Sequence, residues 1–207
     1  MTRLWDISPT VSPSAPVFPG DVPFSLEWTA RLGPGCPVNL SAMRLSPHVG
    51  AHADAPLHYA NDGQGIDAVD LAPYLGPCRV IHAMDCGDLI EVRHLEHAAA
   101  RLPQRVLVRT RRHALTVWSD HFAAFSPAAV DWMAARGVTL IGLDTPSVDP
   151  ASSKTLESHA GLRRHNLRVL ENLVLDDVPE GDYELIALPL KLQGACASPV
   201  RAVLREL

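Results

Sequence analysis

The chain has 207 residues, 47% of them hydrophobic and 20% charged, with a formal net charge of −5. That is enough apolar material for one domain, 1–207, with a full core, and it excludes a disordered chain. Mild acidity without a Lys/Arg block argues against a nucleic-acid surface, and no apolar run approaches the ~20 residues of a membrane-spanning helix.

Seven of the prolines fall in the first forty residues, from Pro9 to Pro37. This stretch reads as a short first strand, an extended loop, and strands over 24–31 and 38–45. Such a proline-stiffened arm packs across a neighbouring subunit or over a site mouth, or it is a plain surface loop. Next comes His48-Val-Gly-Ala-His52-Ala-Asp54-Ala-Pro-Leu-His58, with three imidazoles and a carboxylate among small or apolar spacers. These are donors for Zn²⁺ or Mn²⁺, and the spacers are not those of a solvated loop. As a helix, the segment would place His48 and His52 on one face but turn Asp54 and His58 away, with Pro56 breaking it from inside. As a strand, at about 3.3 Å per residue, it would hold His48 and His58 roughly 33 Å apart. Neither gathers four donors around one ion, so the segment is expected to be an irregular loop after a strand, bent at Gly50 and Pro56. The six other histidines, from His82 to His165 apart from His159, are read as surface or core residues.

A helical stretch is expected over 71–74, a strand over 79–83, a helix over 91–101 that stops before Pro103, and a strand over 105–110. The clearest helix is 126–137, with Ser126 as N-cap, Pro127 in the first turn and Gly137 as the stop. An apolar strand over 138–143 runs into Asp144-Thr-Pro-Ser147-Val-Asp149, and further strands are expected over 183–190 and 202–204. Arg109, Arg111 and Arg112, and the pair Arg163 and Arg164, either hold a substrate carboxylate or form a solvated rim. Without steady βαβ alternation or G-x-G-x-x-G, the elements imply an α/β domain with a mixed, curved sheet and flanking helices, not a Rossmann fold. No G-x-S-x-G elbow occurs, which disfavours a serine hydrolase. Cys36, Cys78, Cys86 and Cys196 lack C-x-x-C spacing, and residues 1–6 lack the apolar core of a signal peptide. Free thiols in a cytoplasmic protein are therefore expected.

His159 and Glu171 offer a second set of donors beside the minimal three of His48, His52 and Asp54. Twelve residues span about 18 Å of unbroken helix, so the two meet only if His159 precedes or opens a helix and the chain then reverses.

The pattern His48-x-Gly50-x-His52-x-Asp54-x-Pro56-x-His58 resembles the signature of the metal-dependent cyclase-like hydrolases. Within them it is similar to the arylformamidase branch, from Leu4-Trp5-Asp6-Ile7-Ser8 and Phe18-Pro19-Gly20-Asp21 to Ser198-Pro-Val-Arg201. The resemblance implies a swivelling β/β/α fold, a homodimer, and two Zn²⁺ ions, with Mn²⁺ as the alternative metal. It implies His48, His52 and Asp54 around one ion, and Asp54 as a bridge to a second ion held by His159 and Glu171. It further implies His58 as the acid/base residue and Phe18 in the substrate site. The implied reaction is hydrolysis of a small molecule, N-formyl-L-kynurenine, to L-kynurenine and formate in tryptophan degradation. Two departures stand out: Ala51 where the wider family has Thr, and Cys196 where that branch is expected to carry an acid. The alternatives are a related amidase or isatin-like cyclic-amide hydrolase, and a non-catalytic metal-binding protein.

Overall fold

A computed structural model describes residues 2–207. In chain order its strands and α-helices are β1 (Leu4–Asp6), β2 (Ser25–Ala30), β3 (Leu40–Arg44), β4 (His52–Asp54), β5 (Leu75–His82), β6 (Leu89–Ile90), β7 (Arg105–Arg109), β8 (Ala124–Phe125), α1 (Pro127–Ala134), β9 (Leu140–Leu143), α2 (Glu157–His165), β10 (Arg168–Glu171), β11 (Gly181–Ile186), β12 (Ala197–Pro199) and β13 (Val203–Glu206). Nine strands form one mixed sheet in the order β1-β13-β11-β5-β7-β9-β10-β4-β12. Its centre is parallel, from β5 through β7 and β9 to β10, with antiparallel pairs on both flanks. The mixed α/β architecture expected from the pattern of elements is the one observed.

The central strands are apolar on both faces, as a sheet buried on both sides requires. Val80, Leu107, Leu140 and Leu170 enter one core with Ile7 and Tyr74. Their neighbours Ile81, Val106, Val108, Ile141 and Val169 enter the other, under Val130 and Met133 of α1 and Leu162 of α2. α1 forms where its caps predict: the Ser126 side chain accepts from the Ala129 N–H at 3.2 Å, and Gly137 takes φ +82° just beyond the end.

Two expectations are corrected. Residues 91–101 form two short 3₁₀ turns, Val92–His94 and Glu96–Ala98, instead of a helix. The Glu91 N–H donates to His94 Nδ1 at 3.0 Å in a capping box that starts the first turn, but only Leu95 is fully buried to reward a longer helix. The segment from His48 to His58 is not irregular throughout, because His52–Asp54 is a strand inside the sheet, paired on both sides. Gly50 at φ +72° turns the chain into it, and Pro56 opens a 3₁₀ turn, Pro56–His58, on the way out.

β2 and β3 pair only with each other among the described residues and stand off the main sheet. Leu26 lies opposite Met43 on this hairpin, and both are exposed, as are Trp28 and Leu40.

The turn that carries His58 is closed against Gly63. The Leu57 N–H donates to the Gln64 carbonyl at 3.0 Å, and a Cβ on Gly63 would lie 2.3 Å from the Pro56 carbonyl carbon. Because that neighbour is backbone, Gly63→Ala should cost about 1–3 kcal/mol of stability and reduce turnover together. Denaturant unfolding checks this, and a midpoint equal to the parent's would contradict it.

Candidate metal centre

The register of two short strands builds the centre. In the antiparallel pair β4–β10, His52 lies opposite Glu171 and Asp54 opposite Val169. Side chains alternate along a strand, so with Ala53 and Leu170 in one core, His52, Asp54 and Glu171 share the opposite, helix-covered face. α2 lies over that face and presents His159 from its first turn. Asn166, at φ +53°, ends α2, and the chain reverses into β10, so His159 and Glu171 meet despite twelve intervening steps. His159 Nε2 lies 4.0 Å from Glu171 Oε1.

Asp54 is the hub. Its Oδ1 lies 3.1 Å from His48 Nδ1 and 3.5 Å from His52 Nε2, whereas its Oδ2 faces His159 Nε2 at 3.4 Å and His58 Nε2 at 3.9 Å. His52 Nε2 also approaches Glu171 Oε2 at 3.2 Å. The outer ring nitrogens have their own partners. His52 Nδ1 donates to the Gly50 carbonyl at 2.9 Å, and His159 Nδ1 to Asp149 Oδ2 at 2.6 Å. His48 Nε2 lies 3.4 Å from Cys196 Sγ, which fills the position of the expected acid. Such outer bonds fix each ring's tautomer and direct its free nitrogen inward.

The inward atoms lack ordinary hydrogen-bond partners. His52 Nε2, both Asp54 oxygens and His159 Nε2 are buried without one. Leaving polar atoms in that state costs on the order of 1–3 kcal/mol each, so this donor set fits a cation. The electrostatics agree. Burial disfavours the imidazolium of His52, yet the nearby Glu171 and Asp54 carboxylates outweigh it and push the group up to about 9. For His159, burial is likewise outweighed by Asp149 and Asp54, to about 10. Burial raises Asp54, but the imidazoles of His159 and His48 beside it hold it well below the usual carboxylate range. The cluster therefore attracts positive charge, and its imidazoles and carboxylates are donors to a divalent metal.

The tightest groupings of donor atoms are His48 with His52 and Asp54, and Asp54 with His58 and His159; a third joins His48, His58 and Cys196. His58 thus stands near enough to Asp54 to be weighed as a donor, while Glu171 joins through His52 and His159. Burial lowers the His58 pKa, with the His48 and His159 charges adding to this and Asp54 opposing it. Its side chain remains about one-third open to the cavity.

A cavity of about 340 Å³ opens above the centre. Phe18 stands at its mouth, 55% exposed, with its ring edge-on to Trp118 at 5.2 Å, and Phe122 continues the aromatic wall. The loop after β9 organises the floor. Asp144 accepts from the Thr110 and Arg111 N–H groups, the Val148 N–H donates to Glu171 Oε1 at 2.8 Å, and Asp149 accepts from the Ser158 and His159 N–H groups. The arginines considered for a substrate carboxylate lie elsewhere: Arg163 pairs with Asp62, Arg164 with Asp131, and Arg109 bonds the Arg111 and Arg112 carbonyls. Asp149, Trp118, Phe122 and Lys154 were not singled out from the sequence. Asp149 lies ten residues before its histidine, and no local pattern marks that pairing.

A cyclase family model matches residues 5–150. The chain belongs to the cyclase family. Among curated members, it is 67% identical over 208 aligned residues, and the full length of both chains, to a kynurenine formamidase of Bordetella pertussis. It is 65% identical over 205 residues to one of Delftia acidovorans, covering 99% of this chain and 98% of that one. Among solved structures, a potential metal-dependent hydrolase with cyclase activity superimposes with a TM-score of 0.86 at 24% identity, covering 100% of this chain and 99% of that one. Isatin hydrolase A of Labrenzia aggregata gives 0.85 at 23%, covering 99% and 93%. Both structural likenesses are to the cyclase-family fold.

Asp149 orients His159 and also caps the start of α2. Asp149→Ala should weaken metal binding by about 10–100-fold and destabilise the helix start by about 1 kcal/mol. Competition with a chromogenic chelator reads the first effect. An unchanged metal affinity would remove Asp149 from the centre's support.

Proposed function

We propose that the chain hydrolyses N-formyl-L-kynurenine to L-kynurenine and formate, a step of tryptophan degradation, using two Zn²⁺ ions per subunit. The observation that carries this reading is the Asp54 carboxylate, whose two oxygens face two sets of donors at the floor of an aromatic-walled cavity. The full-length likeness to kynurenine formamidases supports the choice of substrate. His48, His52 and Asp54 would hold one ion; Asp54, His159 and Glu171 would hold the other, with Mn²⁺ as the alternative occupant. When bound, such ions would polarise a carbonyl oxygen and lower the pKa of bound water toward about 7.

The chain's own residues do the rest. Phe18 and Trp118 receive the aryl ring, which orients the formamide toward the floor and displaces water. His58, between Asp54 and the open cavity, accepts a proton as water adds to the formyl carbon. It returns that proton to the arylamine nitrogen as the C–N bond breaks, which leaves a neutral amine and formic acid, and the acid loses its proton to water as formate. Gly63 and Pro56 hold the turn that keeps His58 in place.

The same reading includes a homodimer and a cytoplasmic setting. The exposed Leu26, Trp28, Leu40 and Met43 of the β2–β3 hairpin favour the dimer, because an apolar two-stranded ribbon is marginal alone in water. The four free cysteines are compatible with a reducing compartment. No helix among the described residues is long and apolar enough to cross a membrane.

Asp54→Ala should lose both ions and all activity, because one carboxylate serves both sets. His58→Ala should keep nearly full metal content but lose about 10²–10⁴ in turnover. Elemental analysis alongside an N-formylkynurenine assay separates these outcomes. If metal and activity fall in step in His58→Ala, His58 is a ligand and the proton carrier lies elsewhere. For the assembly, light scattering should give twice the chain mass, and Leu26→Glu with Met43→Glu should shift it toward the monomer.

A further inference from the structure

The cavity above the centre carries two charges that the hydrolysis itself does not use. Lys154 is the single lysine or arginine among the residues lining it, and Asp21 is the acid away from the centre. The other cations nearby are committed: Arg163 to Asp62 and Arg164 to Asp131. Lys154 has no such partner among the described residues.

Both positions are held by their local chain. The Ser153 N–H donates to the Pro150 carbonyl at 2.9 Å, and Ser153 Oγ accepts from the Leu156 N–H at 3.0 Å, so the backbone around Lys154 is a tied turn at the rim. The Asp21 N–H donates to the Phe18 carbonyl at 2.9 Å, and Asp21 Oδ1 accepts from the Val22 N–H at 2.7 Å. Asp21 and Phe18 therefore close one turn, which sets a carboxylate beside the aromatic wall. A cation and an anion carried on tied turns at the mouth of an aromatic slot match a ligand with a flat ring and a zwitterionic tail.

Resting on the formamidase reading, we propose that Lys154 and Asp21 form a subsite for the α-amino acid tail of the substrate. Lys154 receives the α-carboxylate and Asp21 the α-ammonium, and the pair selects aryl formamides that bear an amino acid over neutral ones. In a chain of net charge −5, Lys154 also draws the carboxylate toward the cavity. The amine released by hydrolysis keeps the same tail, so the subsite holds the product as well.

The test is a cycle in which enzyme and substrate are trimmed separately. Metal-loaded parent, Lys154→Met, Lys154→Arg and Asp21→Asn are assayed with N-formylkynurenine, its α-methyl ester, its analogue lacking the α-amine, and 2-formamidoacetophenone. In the parent, esterification should lower kcat/KM by about 10–100-fold, mainly through KM, as loss of a charge-assisted bond implies. Lys154→Met should lower the value for the free acid by a similar factor while abolishing its advantage over the ester, and Lys154→Arg should restore most of that advantage. Asp21→Asn should likewise erase the preference for the amine-bearing substrate. Calorimetric binding of L-kynurenine should weaken in Lys154→Met by a comparable factor. Equal loss toward acid and ester in Lys154→Met would overturn the subsite, and so would a parent that cleaves all four substrates alike, although the formamidase reading would then stand. A parent that cleaves none of them would overturn that reading itself.

Discussion

A fully buried carboxylate whose two oxygens have no ordinary hydrogen-bond partner governs this structure. An ionised group taken out of water costs several kcal/mol unless positive charge or donors surround it. Asp54 is enclosed because it sits in a strand with neighbours on both sides, β10 and β12, beneath α2. The surrounding imidazoles divide between its oxygens: His48 and His52 face one, His159 and His58 the other. That division gathers histidines from two segments about a hundred residues apart, 48–58 and the start of α2, around one side chain.

The rest of the fold holds those rings in place. Each of His48, His52 and His159 has one nitrogen turned inward and the other tied to a fixed atom: Cys196 Sγ, the Gly50 carbonyl and the Asp149 carboxylate. Two of these anchors depend on backbone that is itself constrained, the positive-φ turn at Gly50 and the loop 144–149. That loop is pinned at Asp144, at Val148 through Glu171, and at Asp149 through the start of α2. The centre is therefore assembled on strand ends and helix starts, with little dependence on mobile loops.

Above this rigid floor, the cavity has a different character. Phe18 and the two rim charges come from turns, Phe18 to Asp21 and Pro150 to Leu156, and Trp118 and Phe122 from the chain between β7 and β8, so this lining lies apart from β4, α2 and β10.

The four donors within eleven residues, the caps of α1 and the hairpin strands were legible from sequence because each is encoded by near neighbours. Ser126, Pro127 and Gly137 state a helix by local rules, and His48 to His58 state a metal by composition and spacing alone. The mixed sheet followed from the types of the elements. Other features were decided by partners distant in the chain. His52–Asp54 became a strand only because β10 and β12 were there to pair with it, and residues 91–101 stayed as short 3₁₀ turns because little core was there to cover. The meeting of His159 with Glu171 needed the reversal at Asn166. The partners of Asp149, Trp118 and Cys196 are contacts that no spacing rule encodes. A short motif fixes which atoms are offered to a metal, whereas the packing of strands and loops far apart in sequence fixes where those atoms point and what can reach them.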